Sequence, residues 1–70
     1  MDKHIPKFTD EVLSEILVVR DTGKVNMFDI NGVMHIAYEN DLFQLVEYLS
    51  DKRTHGEYQS VILSGKRPVR

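Results

Sequence analysis

A chain of 70 residues with 41% hydrophobic and 29% charged residues is one small globular domain, near the lower size at which a single core suffices. The absence of cysteine excludes disulfides, thiolate metal sites and a cysteine nucleophile together. A net charge of −2 lacks the strongly basic balance of nucleic-acid binders, and no apolar run nears the ~18 residues of a membrane span.

So small a core leaves self-association as the common remaining source of buried area, and a homodimer is expected. The N-terminal "MDKHIPKF" lacks the apolar stretch of a secretory signal, which points to the cytoplasm.

Residues 1–7 read as a flexible arm. Thr9 is then a suitable helix N-cap, Asp10 and Glu11 suit the positive end of the dipole, and Phe8 is placed to staple onto Leu13. Val12, Leu13, Ile16, Val19 and the stem of Arg20 share one face at helical spacing. Leu17 lies at its margin and Val18 points almost the opposite way, so this helix is apolar on more than one side. Gly23 ends it in the left-handed conformation.

The second start repeats the first. Asp29 is the N-cap and Phe28 the staple toward Val33, with Ile30, Val33, Met34 and Ala37 facing inward and Gly32 lowering the propensity. Asn40 ends this helix and Asp41 caps the next, whose Leu42, Leu45, Val46 and Leu49 form the clearest periodic stripe in the chain. Phe43 and Tyr48 flank that stripe, and Lys52 and Arg53 suit its C-terminal end. Thr54 and Glu57 read as a capping box for a last helix with Tyr58, Val61 and Ile62 inward and Gly65 at its end.

The expected fold is therefore all-α: four short helices at about 9–22, 29–39, 41–53 and 55–64 in one domain, 1–70, with flexible ends 1–7 and 66–70. A strand at "EYQSVIL" is the competing assignment, but no second strand candidate exists to pair with it.

Candidate chemistry is sparse. Asp21-Thr22-Gly23 matches the triplet of retroviral-type aspartic proteases, which need two carboxylates held by paired loops in a β-rich scaffold. Here the triplet ends a helix and nothing downstream offers a flap. His35 and Glu39 share a helical face at i, i+4, yet a metal site normally needs three or more suitable ligands. His4 and His55 add no second cluster, and no serine sits in a nucleophile elbow. No catalytic residue, metal or cofactor is expected.

Nucleic-acid recognition fares little better. Between Lys24 and Lys52 there is no lysine or arginine, whereas Asp29, Glu39, Asp41, Glu47 and Asp51 are acidic. Lys24, Lys52, Arg53, Lys66, Arg67 and Arg70 could contact phosphates only as scattered helix ends and a tail. What remains is recognition of a protein. Leu17, Val18, Tyr38, Phe43 and Tyr48 are large apolar side chains placed at or beyond the core margin, the usual anchors of interfaces. Arg20, Asp21 and Asn26 would tie the first corner or offer it to a partner.

The segment "ILVVRDTGKVNMFDINGVMHIA", followed by "LFQLVEYL" and a tyrosine in "EYQSVI", resembles a family of very short phage and prophage proteins with no assigned function. Arg20-Asp21-Thr22-Gly23 with Asn26-Met27-Phe28-Asp29 is its distinctive pair of motifs, and the likeness spans most of residues 12–63. The family carries no catalytic or binding residues to transfer. The resemblance implies a phage context, in which such cofactor-free proteins often modulate one host or phage macromolecule, including inhibition of host defence or transcription. The expectation is a non-enzymatic protein-binding protein in the host cytoplasm. The alternative is a nucleic-acid-associated regulator using the basic helix ends and tail.

Overall fold

Helix α1 (Asp10–Thr22) opens a computed structural model that describes residues 5–66. It begins where Thr9 Oγ1 accepts the Val12 N–H at 3.2 Å, and it stops at Gly23, whose φ of 65° places it in the left-handed region. Helix α2 (Ile30–Glu39) follows a tight corner and is capped by Asp29, whose Oδ1 accepts from Gly32 N–H at 3.1 Å. Helix α3 (Phe43–Leu49), a single 3₁₀ turn (Lys52–Thr54) and helix α4 (His55–Ser64) complete the chain, and Gly65 ends α4 at φ 72°. The architecture is a small all-α bundle, with no strand among the described residues.

The core is one cluster. Val12, Ile16 and Val19 of α1 meet Val33 and Ala37 of α2, Leu45, Tyr48 and Leu49 of α3, and Tyr58 of α4. Removing this apolar surface from water, at roughly 25 cal/mol per Å², is the main force holding four helices too short to be stable alone. Val61 is buried on α4 and Ile62 packs at the edge of the cluster, as the periodicity of that segment requires.

Several local expectations fail where a neighbouring turn or helix claims the group first. The third helix is shorter than 41–53. Asp41 does not cap it. It sits at φ 60° as the left-handed residue that terminates α2, with Leu42 N–H on Ala37 O at 2.8 Å and Asp41 N–H on Tyr38 O at 3.2 Å. That is the paired bonding of a Schellman ending with aspartate where glycine is usual. Lys52 and Arg53 consequently lie in the 3₁₀ turn and not at the end of α3.

The capping box at Thr54 and Glu57 does not form. Thr54 is buried, and its hydroxyl turns back to Tyr48 O at 2.6 Å and Asp51 O at 2.8 Å, locking α3 to the 3₁₀ turn. Glu57 instead accepts from the Tyr48 hydroxyl at 2.5 Å. His55 opens α4 with Nε2 2.8 Å from Leu49 O. A carbonyl can only accept, so Nε2 carries the proton.

The staples also differ. Phe8 packs edge-on against Tyr48, with ring centroids 5.6 Å apart, and Phe28 stays exposed outside the packed cluster. Of the ends expected to be flexible, residues 1–4 and 67–70 lie outside the described residues. Ile5–Lys7 has no regular secondary structure, and Pro6 and Lys7 run beside Gln44, Glu47 and Tyr48 of α3.

Candidate functional site

The corner between α1 and α2 is built from its own residues. Thr22 Oγ1 donates to Val19 O at 2.7 Å and accepts from Lys24 N–H at 3.2 Å, which fixes the exit of α1. Asn26 Oδ1 accepts the Phe28 N–H at 2.9 Å, and Asn26 O accepts the Asp29 N–H at 2.8 Å, a side-chain-braced turn. Met27 packs against the core, and its carbonyl accepts the Tyr58 hydroxyl at 2.6 Å, so α4 holds the corner from across the fold. Burial of Tyr58 pushes its phenol up to about 12. Asn26 therefore ties the corner as expected. The side chains of Arg20 and Asp21 take no hydrogen bond or ion pair within the described residues and stay exposed. Asp21-Thr22-Gly23 is a helix end and its glycine stop, not the strand-borne loop that a protease carboxylate pair requires.

The candidate interface residues separate in the structure. Tyr48 is withdrawn: it is 1% exposed, with Phe8 against its ring and Glu57 on its hydroxyl, so it offers nothing to a partner. The stripe of α3 could not reveal this, because α3 packs against both α1 and α2 and a wider arc of it is covered. Tyr38 and Phe43, by contrast, are 65% and 48% exposed and stack edge to face with centroids 5.8 Å apart. They face each other across the Asp41 turn, one at the end of α2 and one at the start of α3. Glu39 and Asp41 adjoin the pair and Glu47 lies one turn along α3 from Phe43, all exposed. Leu17 and Val18 are exposed on α1, and as consecutive residues they point to different sides of that helix.

Leu17 belongs to a second feature. Leu13, Ile16, Leu17 and Arg20 of α1, Met27 of the corner, and Val61, Ile62 and Gly65 at α4 line an apolar cleft of about 90 Å³. Arg20 stands at its rim, and Lys66 follows Gly65. Leu63 is also largely exposed on α4. Leu63 lies off the inward face of Tyr58, Val61 and Ile62, but the cleft was not foreseeable from periodicity: it exists only where residues of α1, the corner and α4 come together, which no local spacing encodes.

The basic residues do not share one element. Lys24 follows the end of α1, Lys52 and Arg53 occupy the 3₁₀ turn, and Lys66 follows α4, while Arg67 and Arg70 lie outside the described residues. Arg53 is engaged by Asp51, with Nη2 to Oδ2 at 2.7 Å. Those hydrogen bonds hold the Asp51 carboxyl down at about 2 and raise the Arg53 guanidinium above its ordinary value. His35 and Glu39 form an exposed i, i+4 pair at 3.2 Å, and no group of three potential metal ligands occurs among the described residues. No helix of the described residues is long and apolar enough to cross a membrane.

One tertiary contact escaped the sequence altogether. Leu42, at the N-cap position of α3, has no side-chain acceptor, and Glu15 of α1 supplies one: its Oε1 accepts the Leu45 N–H at 2.8 Å. This carboxylate fastens α1 to the first turn of α3, the helix that begins at Phe43. A search of curated proteins and of solved structures finds no match to this chain. A family model described as "Domain of unknown function (DUF5049)" matches residues 8–66, and the chain belongs to that family.

Proposed function

We propose that this chain is a small non-enzymatic, phage-type protein that works by binding another protein of the host or the phage, modulating or inhibiting a host process such as defence or transcription. The carrying observation is the Tyr38–Phe43 pair, two aromatic rings stacked on each other yet largely in solvent. Aromatic rings bury large areas at low entropic cost, and a pair already ordered by a helix–turn–helix corner loses little more on binding. The phage context rests on the resemblance carried by Arg20–Gly23 and Asn26–Asp29, and a site of action in the host cytoplasm follows from it.

Capture from host lysate by the tagged full chain, read by mass spectrometry against a Tyr38→Ala/Phe43→Ala double variant, tests the reading. A protein retained by the parent and lost by the variant, with helical content unchanged, is the expected result. Equal retention by both removes the aromatic pair from the function. Sub-micromolar affinity for DNA or RNA that falls steeply with salt would instead favour a nucleic-acid regulator.

A further inference from the structure

The aromatic corner and the α1–α4 cleft are opposite in charge and alike in apolarity. We infer that they meet: the Tyr38–Phe43 corner of one copy seats in the cleft of a second copy of this chain, reciprocally, closing a two-fold dimer. This rests on the reading of the aromatic pair as a protein-binding anchor and names its partner.

The cleft offers an apolar floor of Leu13, Leu17, Met27 and Ile62, with about 90 Å³ of space. A closed cavity of ~150 Å³ holds a benzene ring, so this open cleft takes one ring by its edge and leaves the second to lie over Leu17. The cleft's one charged lining residue is Arg20. The guanidinium of Arg20 is exposed and takes no partner among the described residues, and Lys66 adjoins Gly65. Asp21, beside Arg20, is the opposing charge. The corner carries the complement: exposed Glu39 (paired with His35 at 3.2 Å), Asp41 and Glu47 neighbour the rings along the chain or one turn away, and no lysine or arginine occurs between Lys24 and Lys52.

Charge also selects the pairing. Corner against corner sets carboxylates on carboxylates, and cleft against cleft sets Arg20 on Arg20, so corner against cleft is the favourable combination. No residue lines both features, so the reciprocal pairing asks no side chain to serve twice.

Size-exclusion with light scattering of the full chain at low salt should give twice the 8.1 kDa chain mass. Arg20→Glu alone, and Glu39→Lys/Glu47→Lys alone, should each weaken dimerisation at least about tenfold by opposing like charges. Mixed in equal amounts, the two variants should recover a dimer containing one of each, because both contacts regain opposite signs. All three positions are exposed, and far-ultraviolet circular dichroism verifies that each variant keeps its helices. A parent chain that stays monomeric at high concentration, or a dimer indifferent to both variants, overturns the inference. The lysate experiment is separate: capture lost with Tyr38 and Phe43 in a strictly monomeric chain sinks the self-pairing and leaves the protein-binding reading standing.

Discussion

Replacing Glu15 with alanine tests how the bundle is fastened. Helix α3 runs only from Phe43 to Leu49, and the residue at its N-cap position, Leu42, contributes no side-chain acceptor. The Leu45 N–H is satisfied from another helix, by Glu15 Oε1 at 2.8 Å. Alanine leaves that donor without its carboxylate beside a fully buried Leu45. A lost side-chain cap costs about 1 kcal/mol, and an orphaned donor about 1–3 kcal/mol, moderated here because a helix end admits water. A loss of about 1.5 kcal/mol is therefore expected, which for a domain of this size lowers Tm by on the order of 10 °C. Glu15→Gln keeps an oxygen at the same reach and forfeits only the charge at the positive end of α3, about 0.3–1 kcal/mol. Thermal unfolding followed by circular dichroism ranks the three proteins, and hydrogen exchange at the Leu45 amide locates the effect. Should alanine and glutamine prove equally damaging, or alanine shift Tm by less than about 2 °C, the tertiary cap is not what holds α3.

Gly32→Ala should destabilise despite the ~1 kcal/mol that alanine gains over glycine in a helix. The added methyl group would lie 2.6 Å from Val25 Cγ2 and 2.8 Å from the Asp29 Oδ2 of the capping carboxylate, and a higher Tm for the variant would refute this. Asp41→Gly should raise stability by about 0.5–1 kcal/mol, since glycine occupies the left-handed region without the strain that aspartate bears at φ 60°. A lowered urea midpoint would show that the Asp41 side chain contributes more than its backbone strain costs. Tyr58 has its phenol pushed up to about 12 by burial, so the folded state binds that proton more tightly than the unfolded chain does. Its stabilising effect is complete below about pH 10 and lost progressively between about pH 10 and 12. The alkaline unfolding limb measured by circular dichroism should flatten in Tyr58→Phe, and an unchanged limb would assign it to another group.

The ends of the helices were legible residue by residue. Thr9, Asp29, Gly23 and Gly65 act on backbone groups within four positions of themselves, so their roles follow from local spacing alone. The inward faces of α1, α2 and α4 were legible for the same reason, because each buries a single stripe. Asp41 and Thr54 misled because their side chains suit an N-cap equally well in isolation. Which group each one serves depended on where α2 stopped and on carbonyls brought close by the turn after α3.

Tertiary structure decided the surface. Tyr48 and Phe43 both flank the same stripe of α3, yet one is 1% exposed and the other 48%. Phe8, from the segment before α1, and Glu57, from α4, both engage Tyr48, whereas the ring that meets Phe43 is Tyr38, itself 65% exposed. The cleft beside Arg20 and the Glu15 cap on α3 likewise require two helices to be neighbours before either exists. Hydrophobic periodicity and capping are short-range and thus written into consecutive residues. Burial on the flank of a helix, and the hollows between helices, depend on how the bundle closes, which is settled by all of its faces at once.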